Sequence, residues 1–178
     1  MKEDTATVIS SQTIYTGRII SIQIDRVQLP HGATVNMELV KHPGSVVMIP
    51  MPSPGEVILV RQYRYAVGRS LWEFPAGSLD PGEDPVEGAR RECHEEIGLV
   101  PARIEQVGFF YPTPGFCTES MTFFRCAELS KPATAAHQDE DESVEPRTFT
   151  LDQVRAMIRS GEIVDMKTAL GLTLIQTV

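Results

Sequence analysis

The stretch from Gly77 to Leu99, GSLDPGEDPVEGARRECHEEIGL, constrains this chain more than any other, because it spells a turn, a helix and a stop while loading that helix with carboxylates. Pro81-Gly82 is a turn signal, Asp84 is a good N-cap, Pro85 suits the first helical position, and Glu87 completes a box-like Asp-x-x-Glu start. The spacing predicts a helix beginning near residue 85, with Gly98 as its natural stop. At about 100° per residue, Val86, Ala89, Cys93, Ile97 and Val100 share one arc, and Glu92, Glu95 and Glu96 occupy the adjoining one. Glu92 and Glu96 stand one turn apart beside the apolar stripe, so their carboxylates can converge on a shared ion.

A solvated acidic face with intrahelical pairs such as Arg91 to Glu95 has the same composition. The clustering argues against it. Glu92, Glu95 and Glu96 repel one another unless something cationic sits among them, and Arg91 alone cannot neutralise them all. Hard ions such as Mg²⁺ and Mn²⁺ take oxygen ligands, commonly one or two carboxylates plus substrate phosphates. The segment therefore points to phosphate chemistry.

Charge supports the same direction. A net charge of −8 argues against a nucleic-acid or membrane surface, and it would repel an anionic substrate unless metals screened the site. With 178 residues and 42% hydrophobic content, the chain fits one domain with a small N-terminal extension. Cys93, Cys117 and Cys126 are odd in number and lack Cys-x-x-Cys spacing, so neither a disulfide framework nor a zinc site is expected. The N-terminus MKEDTATV has no basic region followed by an apolar one, and no stretch approaches the length of a membrane span. These features lead to the expectation of a cytoplasmic protein with reduced thiols.

Along the chain, residues 6–15, 18–29 and the alternating run 34–39 are expected to be strands, forming an N-terminal meander. Ser45 to Pro50 and Glu56 to Tyr65 form two more, parted by the Pro-Ser-Pro-Gly turn at 52–55. Beyond the acidic helix come strands at 104–111 and 119–127, a polar acidic loop over 130–146, a helix from Leu151 to Ser160 between Thr150 and Gly161, and a last helix from Asp165. The order suggests an α/β fold, a mixed sheet flanked by helices.

Gly77, Glu83, Arg91, Glu92, Glu95, Glu96, Gly98 and Leu99 fall in register with G-x5-E-x7-R-E-U-x-E-E-x-G-U, where U is a bulky aliphatic residue, and the segment thus resembles the Nudix box. The departure is Cys93 at the first U position, where a free Cys behaves as a small hydrophobe. The flanks resemble those of ADP-ribose and nucleoside-diphosphate-sugar pyrophosphatases: Arg61-Gln62-Tyr63-Arg64 in a strand, Glu73-Phe74-Pro75-Ala76-Gly77 before the box, and Pro112-Thr113-Pro114-Gly115-Phe116 beyond it. The resemblance implies the family's α/β/α sandwich, with residues 1–43 as an N-terminal antiparallel strand extension that serves dimerisation and residues 44–178 as the catalytic domain. It implies Mg²⁺, with Mn²⁺ as a substitute, a nucleotide-sugar substrate, and a homodimer that binds neither nucleic acid nor membrane.

Residue roles follow from the resemblance too. It places metal at the backbone carbonyl of Ala76 and at Glu92 and Glu96; Glu83 binds metal or pairs with Arg91, Glu95 shares a second metal or orients its water, and Arg91 holds the glutamates in position. Within His137-Gln138-Asp139-Glu140-Asp141-Glu142-Ser143, otherwise a solvated linker by composition, it makes Glu140 the catalytic base and Glu142 a further metal ligand. Arg61 and Arg64 read equally as sheet-edge ion pairs or as bidentate phosphate contacts; the resemblance favours Arg64 for the diphosphate or ribose with Glu73 as its partner. It sets Arg18 against a nucleobase across a dimer interface and Pro114 in the wall of the sugar or base pocket. Two other readings stand beside this one: a pyrophosphatase for a dinucleotide or coenzyme, and a non-catalytic sensor on the same fold.

Overall fold

The computed structural model describes residues 5–133 and 144–175, which hold ten strands and three α-helices. In chain order these are β1 (Thr7–Thr16), β2 (Ser21–Gln28), β3 (Thr34–Lys41), β4 (Ser45–Pro50), β5 (Glu56–Arg64), β6 (Arg69–Glu73), β7 (Ala76–Ser78), α1 (Pro85–Ile97), β8 (Val100–Phe110), β9 (Met121–Ser130), β10 (Val144–Thr150), α2 (Leu151–Ser160) and α3 (Met166–Leu174). They fall into two compact units: one comprises the residues up to Gly44 with Phe110–Met121, the other Ser45–Phe109 with the chain from Thr122 onward.

In the first unit, β1, β2 and β3 form an antiparallel sheet in that order. The strand expected over 18–29 begins only at Ser21, because Gly17 closes a tight turn by donating its N–H to the Ile20 carbonyl at 2.8 Å. A Cβ at Gly17 would lie 2.9 Å from the Tyr15 ring, so a side chain there would have to push that ring aside. The segment Phe110–Met121 joins this unit through Val40, whose N–H donates to Phe116 and whose carbonyl accepts from Thr118.

The second unit is built on β4. Its run Ser-Val-Val-Met-Ile-Pro is buried at every position, as expected of a strand covered on both faces. Val46 and Met48 pack with Ala89, Cys93 and Ile97 of α1, while Ile49 approaches α3 near Gly171. Helices thus cover opposite faces of the sheet β7-β4-β9-β8, giving the layered mixed α/β arrangement that the order of elements suggested. A second antiparallel sheet, β10-β5-β6, completes this unit.

Three expectations need adjustment. The strand expected at 104–111 starts earlier, at Val100. Both ends of the stretch 130–146, expected as loop, are strand, since β9 runs to Ser130 and β10 starts at Val144. β6 was not anticipated; it follows a turn in which Gly68 adopts φ 68°. Trp72 on β6 meets Phe149 on β10 edge-on at 5.0 Å, and Arg147 stands 5.2 Å above the Trp72 ring, so the two strands are tied across β5. Among the described residues, no helix is long and apolar enough to cross a membrane.

Candidate active site

The start of α1 follows the sequence closely. Asp84 accepts the Val86 N–H at 2.9 Å and Pro85 takes the first helical position. Glu87 does not reach back to the cap; it stands 3.7 Å from Arg90 instead. The helix ends where Gly98, at φ 67°, donates its N–H to the His94 carbonyl. His94, on the last turn, is half-buried.

Arg91 is the hub of the acidic cluster. Its Nε and Nη2 donate to the two oxygens of Glu83, both at 2.9 Å, in a fork-to-fork pair. Nη1 donates to Glu92 Oε1 at 2.7 Å and to Glu95 Oε2 at 2.9 Å, and Nη2 also reaches the Ser78 carbonyl at 3.2 Å. The hydrogen bonds from Arg91 hold the Glu83 carboxyl below the usual carboxylate range, and the Glu83 pair in turn raises the Arg91 guanidinium above its ordinary value.

Glu92 and Glu96 are buried, at 7% and 4% exposure, which is uncommon for carboxylates. Ala76 donates its N–H to Glu96 Oε1 at 3.0 Å, and a Cβ built on Gly77 would fall 1.9 Å from the Glu92 carboxyl carbon. β7 is itself held by β4, with Ala76 opposite Val47 and Gly77 opposite Val46. The carboxylates of α1 are therefore seated directly against a fixed backbone. A side chain at position 77 would displace the Glu92 carboxylate from that seat.

A second cluster adjoins the first. Arg64 Nε and Nη2 donate to the oxygens of Glu73 at 2.9 and 2.8 Å, and Lys167 donates to Glu73 as well. Burial pushes the Glu73 carboxyl up, but the Arg64 hydrogen bonds and the Lys167 charge outweigh it, and the net shift is downward. Arg64 is raised, mainly by its bonds to Glu73, and it also senses the charge of Glu96.

The second unit thus gathers Arg64, Glu73, Ala76, Glu83, Arg91, Glu92, Glu95 and Glu96. Arg61 is exposed on β5, opposite Trp72 on one side and Glu145 on the other. Arg18 and Pro114 are exposed in the first unit. Glu140 and Glu142 lie outside the described residues. Sequence reasoning missed Asp165, Lys167 and Thr168; the available signal was a single lysine inside the apolar run MKTALGLTL of α3.

Among the described residues, no three Asp, Glu, His or Cys side chains are arranged to hold an ion as they stand. Arg91 bonds Glu92 and Glu95 together. The donor set nevertheless fits a hard divalent cation: buried carboxylates one helical turn apart, oxygen donors throughout, and a backbone seat that any side chain at 77 would fill.

The NUDIX domain family matches residues 41–166. The chain is 35% identical to an ADP-ribose pyrophosphatase of Bacillus subtilis (strain 168), covering 99% of this chain and 95% of that one. It is 38% identical to a methanol dehydrogenase activator of Bacillus methanolicus, covering 94% and 91%. A solved structure described as an ADP compounds hydrolase superposes with a TM-score of 0.82 over 97% of this chain and 93% of that one, at 18% identity, a likeness of fold. The box geometry and the match across most of the chain have one meaning: the protein belongs to the Nudix family and is a Nudix hydrolase.

Proposed function

We propose that the protein splits the diphosphate of ADP-ribose, or of a related nucleoside-diphosphate sugar, into a nucleoside monophosphate and a sugar phosphate with the help of Mg²⁺. The observation that carries this reading is the seat of Glu92 and Glu96 against Ala76 and Gly77, a concentration of buried negative charge that only a cation and a phosphate-bearing substrate would make useful. The full-length similarity to an ADP-ribose pyrophosphatase supports the choice of substrate.

Glu92 and Glu96, with the Ala76 carbonyl, hold the metal, and Glu95 orients water beside it. A divalent cation held by these residues would supply charge neutralisation for the diphosphate and acidify a water for attack. Arg91 keeps Glu83, Glu92 and Glu95 in place; Arg64, aligned by Glu73, meets the diphosphate. Glu140 takes the proton from the attacking water and Glu142 adds a metal ligand, both assigned by family resemblance. Arg18, Arg61 and Pro114 contact the base and sugar.

The protein works in the cytosol as a homodimer, with β1 meeting a second copy. β1 is an edge strand exposed along its whole length, with Val8, Ile9, Ile14 and Tyr15 each more than half open, and an apolar edge of that kind pairs readily. Light scattering of the protein and of an Ile14→Lys variant tests this: two chains per particle for the former and one for the latter.

The function is tested by kcat/KM with Mg²⁺ across ADP-ribose, ADP-glucose, GDP-mannose, UDP-glucose and NADH. NADH belongs in the panel because the Bacillus methanolicus relative is named for a dehydrogenase rather than a nucleotide sugar. Turnover of ADP-ribose and its relatives is expected. Activity on NADH alone would move the substrate to dinucleotides, and no turnover at all would leave a ligand sensor.

A further inference from the structure

Helix α3 begins with charges that the box does not explain. Asp165 caps it, accepting from the Thr168 N–H at 2.9 Å and the Thr168 hydroxyl at 2.6 Å. The Thr168 Oγ1 also accepts the N–H of Phe74 at 2.8 Å. Lys167 donates to Glu73 and lies 3.1 Å from Asp165 Oδ2. Lys167, Thr168 and Glu73 are all buried, at 8%, 0% and 1% exposure. A lysine in that position is held for its partners, since unpaired burial of an ammonium is strongly unfavourable.

These contacts converge on one short segment. Glu73 is gripped by Lys167 and Arg64, the Phe74 N–H by Thr168, the Ala76 N–H by Glu96, and Gly77 fits over the Glu92 carboxyl. Gly171 lets α3 close on the Phe74 ring, since a Cβ there would stand 3.0 Å from it. The start of α3 and the acidic face of α1 therefore hold the same five residues from two sides.

We propose that Lys167 is a positioning residue for the hydrolytic site: by holding Glu73 it aims the Arg64 guanidinium at the substrate diphosphate, and with Thr168 it fixes the Phe74–Gly77 backbone against Glu92 and Glu96. The proposal rests on the pyrophosphatase reading above. A lysine serving only to stabilise the fold would contribute to melting temperature alone. A positioning lysine must also change how tightly the diphosphate is bound, and must do so through Arg64.

The test is calorimetric binding of the non-hydrolysable analogue α,β-methylene ADP-ribose in Mg²⁺, with the melting temperature of each variant taken alongside. Lys167→Met is expected to weaken binding about tenfold, the scale of one lost charge-assisted hydrogen bond, and Lys167→Arg to recover most of it. In an Arg64→Gln background, Lys167→Met should add little, because its target is already gone. Val154→Ala, in the buried face of α2, should lower the melting temperature and leave binding unchanged. An unmoved dissociation constant in folded Lys167→Met, or full additivity with Arg64→Gln, overturns the proposal. Thr168→Val removes the Phe74 contact and keeps every charge; it is read where Lys167→Met does not fold, and wild-type binding in it is equally fatal. Failure of the unaltered protein to hydrolyse any nucleoside-diphosphate compound rejects the pyrophosphatase reading, whereas turnover with unmoved binding in Lys167→Met rejects only the role of Lys167.

Discussion

The two charged clusters of the second unit are built on opposite principles. Around Glu73, the cations Arg64 and Lys167 face the carboxylates Glu73 and Asp165, and the centre of the group is sealed from water. Around Arg91, a single guanidinium serves Glu83, Glu92 and Glu95, with Glu96 close by on the next turn, and the Arg91 side chain is 31% exposed. The first cluster is balanced about a buried centre, with the Arg64 side chain 38% exposed at its edge; the second carries surplus negative charge. A balanced buried group holds a shape, because breaking either member leaves an uncompensated charge. A surplus of carboxylates recruits a cation, which is the feature phosphate hydrolysis needs.

The sharpest way to break that contrast is Glu96→Gln. The change keeps the shape and the Ala76 hydrogen bond but removes one of the two buried negative charges, so kcat/KM for ADP-ribose with Mg²⁺ should fall by about 10³-fold, the scale of a lost electrostatic contact to the reacting centre. A loss within threefold would mean that the Arg91 cluster does not hold the metal.

Glu73→Gln addresses the balanced cluster, and its first effect should be on stability. The buried Lys167 and the partly exposed Arg64 would face a neutral amide, a loss of about 3 kcal/mol, the low end for broken buried pairs because Lys167 keeps Asp165. The pH dependence follows in sign. Because the Glu73 carboxyl is held low in the folded chain, its ionised form stabilises the fold above the ordinary carboxylate value, and that contribution vanishes as pH falls through the lowered one. Thermal melts below about pH 4 should therefore bring the unaltered protein and Glu73→Gln closer together. A gap that stays constant from neutral pH into acid would show that the charge of Glu73 is unimportant to the fold.

Gly77→Ala joins the two clusters. The added methyl would occupy the place of the Glu92 carboxyl, 1.9 Å from its carbon, so Glu92 must swing away while Glu96 stays bonded to Ala76. Displacement of about 1 Å at a reacting centre can reduce rate by about 10²-fold, and that is the expected loss. Activity should fall well before the melting temperature does, since the adjustment falls on one side chain at the edge of the core. The reverse order, a collapse of stability with activity retained, would assign Glu92 to the fold.

Legibility from sequence followed the distance between partners. The Arg91 cluster was readable because Glu92 and Glu95 lie within one turn of it and Glu83 stands just before the helix. Lys167 and Thr168 meet Glu73 and Phe74 across 94 positions of chain, and no local pattern announces such a contact. The polar acidic composition of 130–146 hides the start of β10, whose Pro146 sits in the edge strand of the order β10-β5-β6, where a missing N–H is tolerated. β6 is short and half of it is exposed, so it lacks the alternation that identified its neighbours. The start of α1 shows the limit of motif reading in the other direction: Asp84 caps as expected, while Glu87 turns outward to Arg90.

That outward pair supplies the smallest effect and the control for the rest. Glu87 is 66% exposed and 3.7 Å from Arg90 on the same helix as Glu92 and Glu96, and exposed helical pairs contribute about 0.2–0.5 kcal/mol. Glu87→Ala should therefore shift the melting temperature by about 1–2 °C or less and leave kcat/KM unchanged. Glu87 belongs to the same acidic segment as Glu92 and Glu96, and it differs from them in facing water rather than β7. Equal losses from Glu87→Ala and Glu96→Gln would mean that overall negative charge on α1 matters and its placement does not. A loss confined to Glu96→Gln ties the chemistry to the two carboxylates that the Ala76–Gly77 backbone receives.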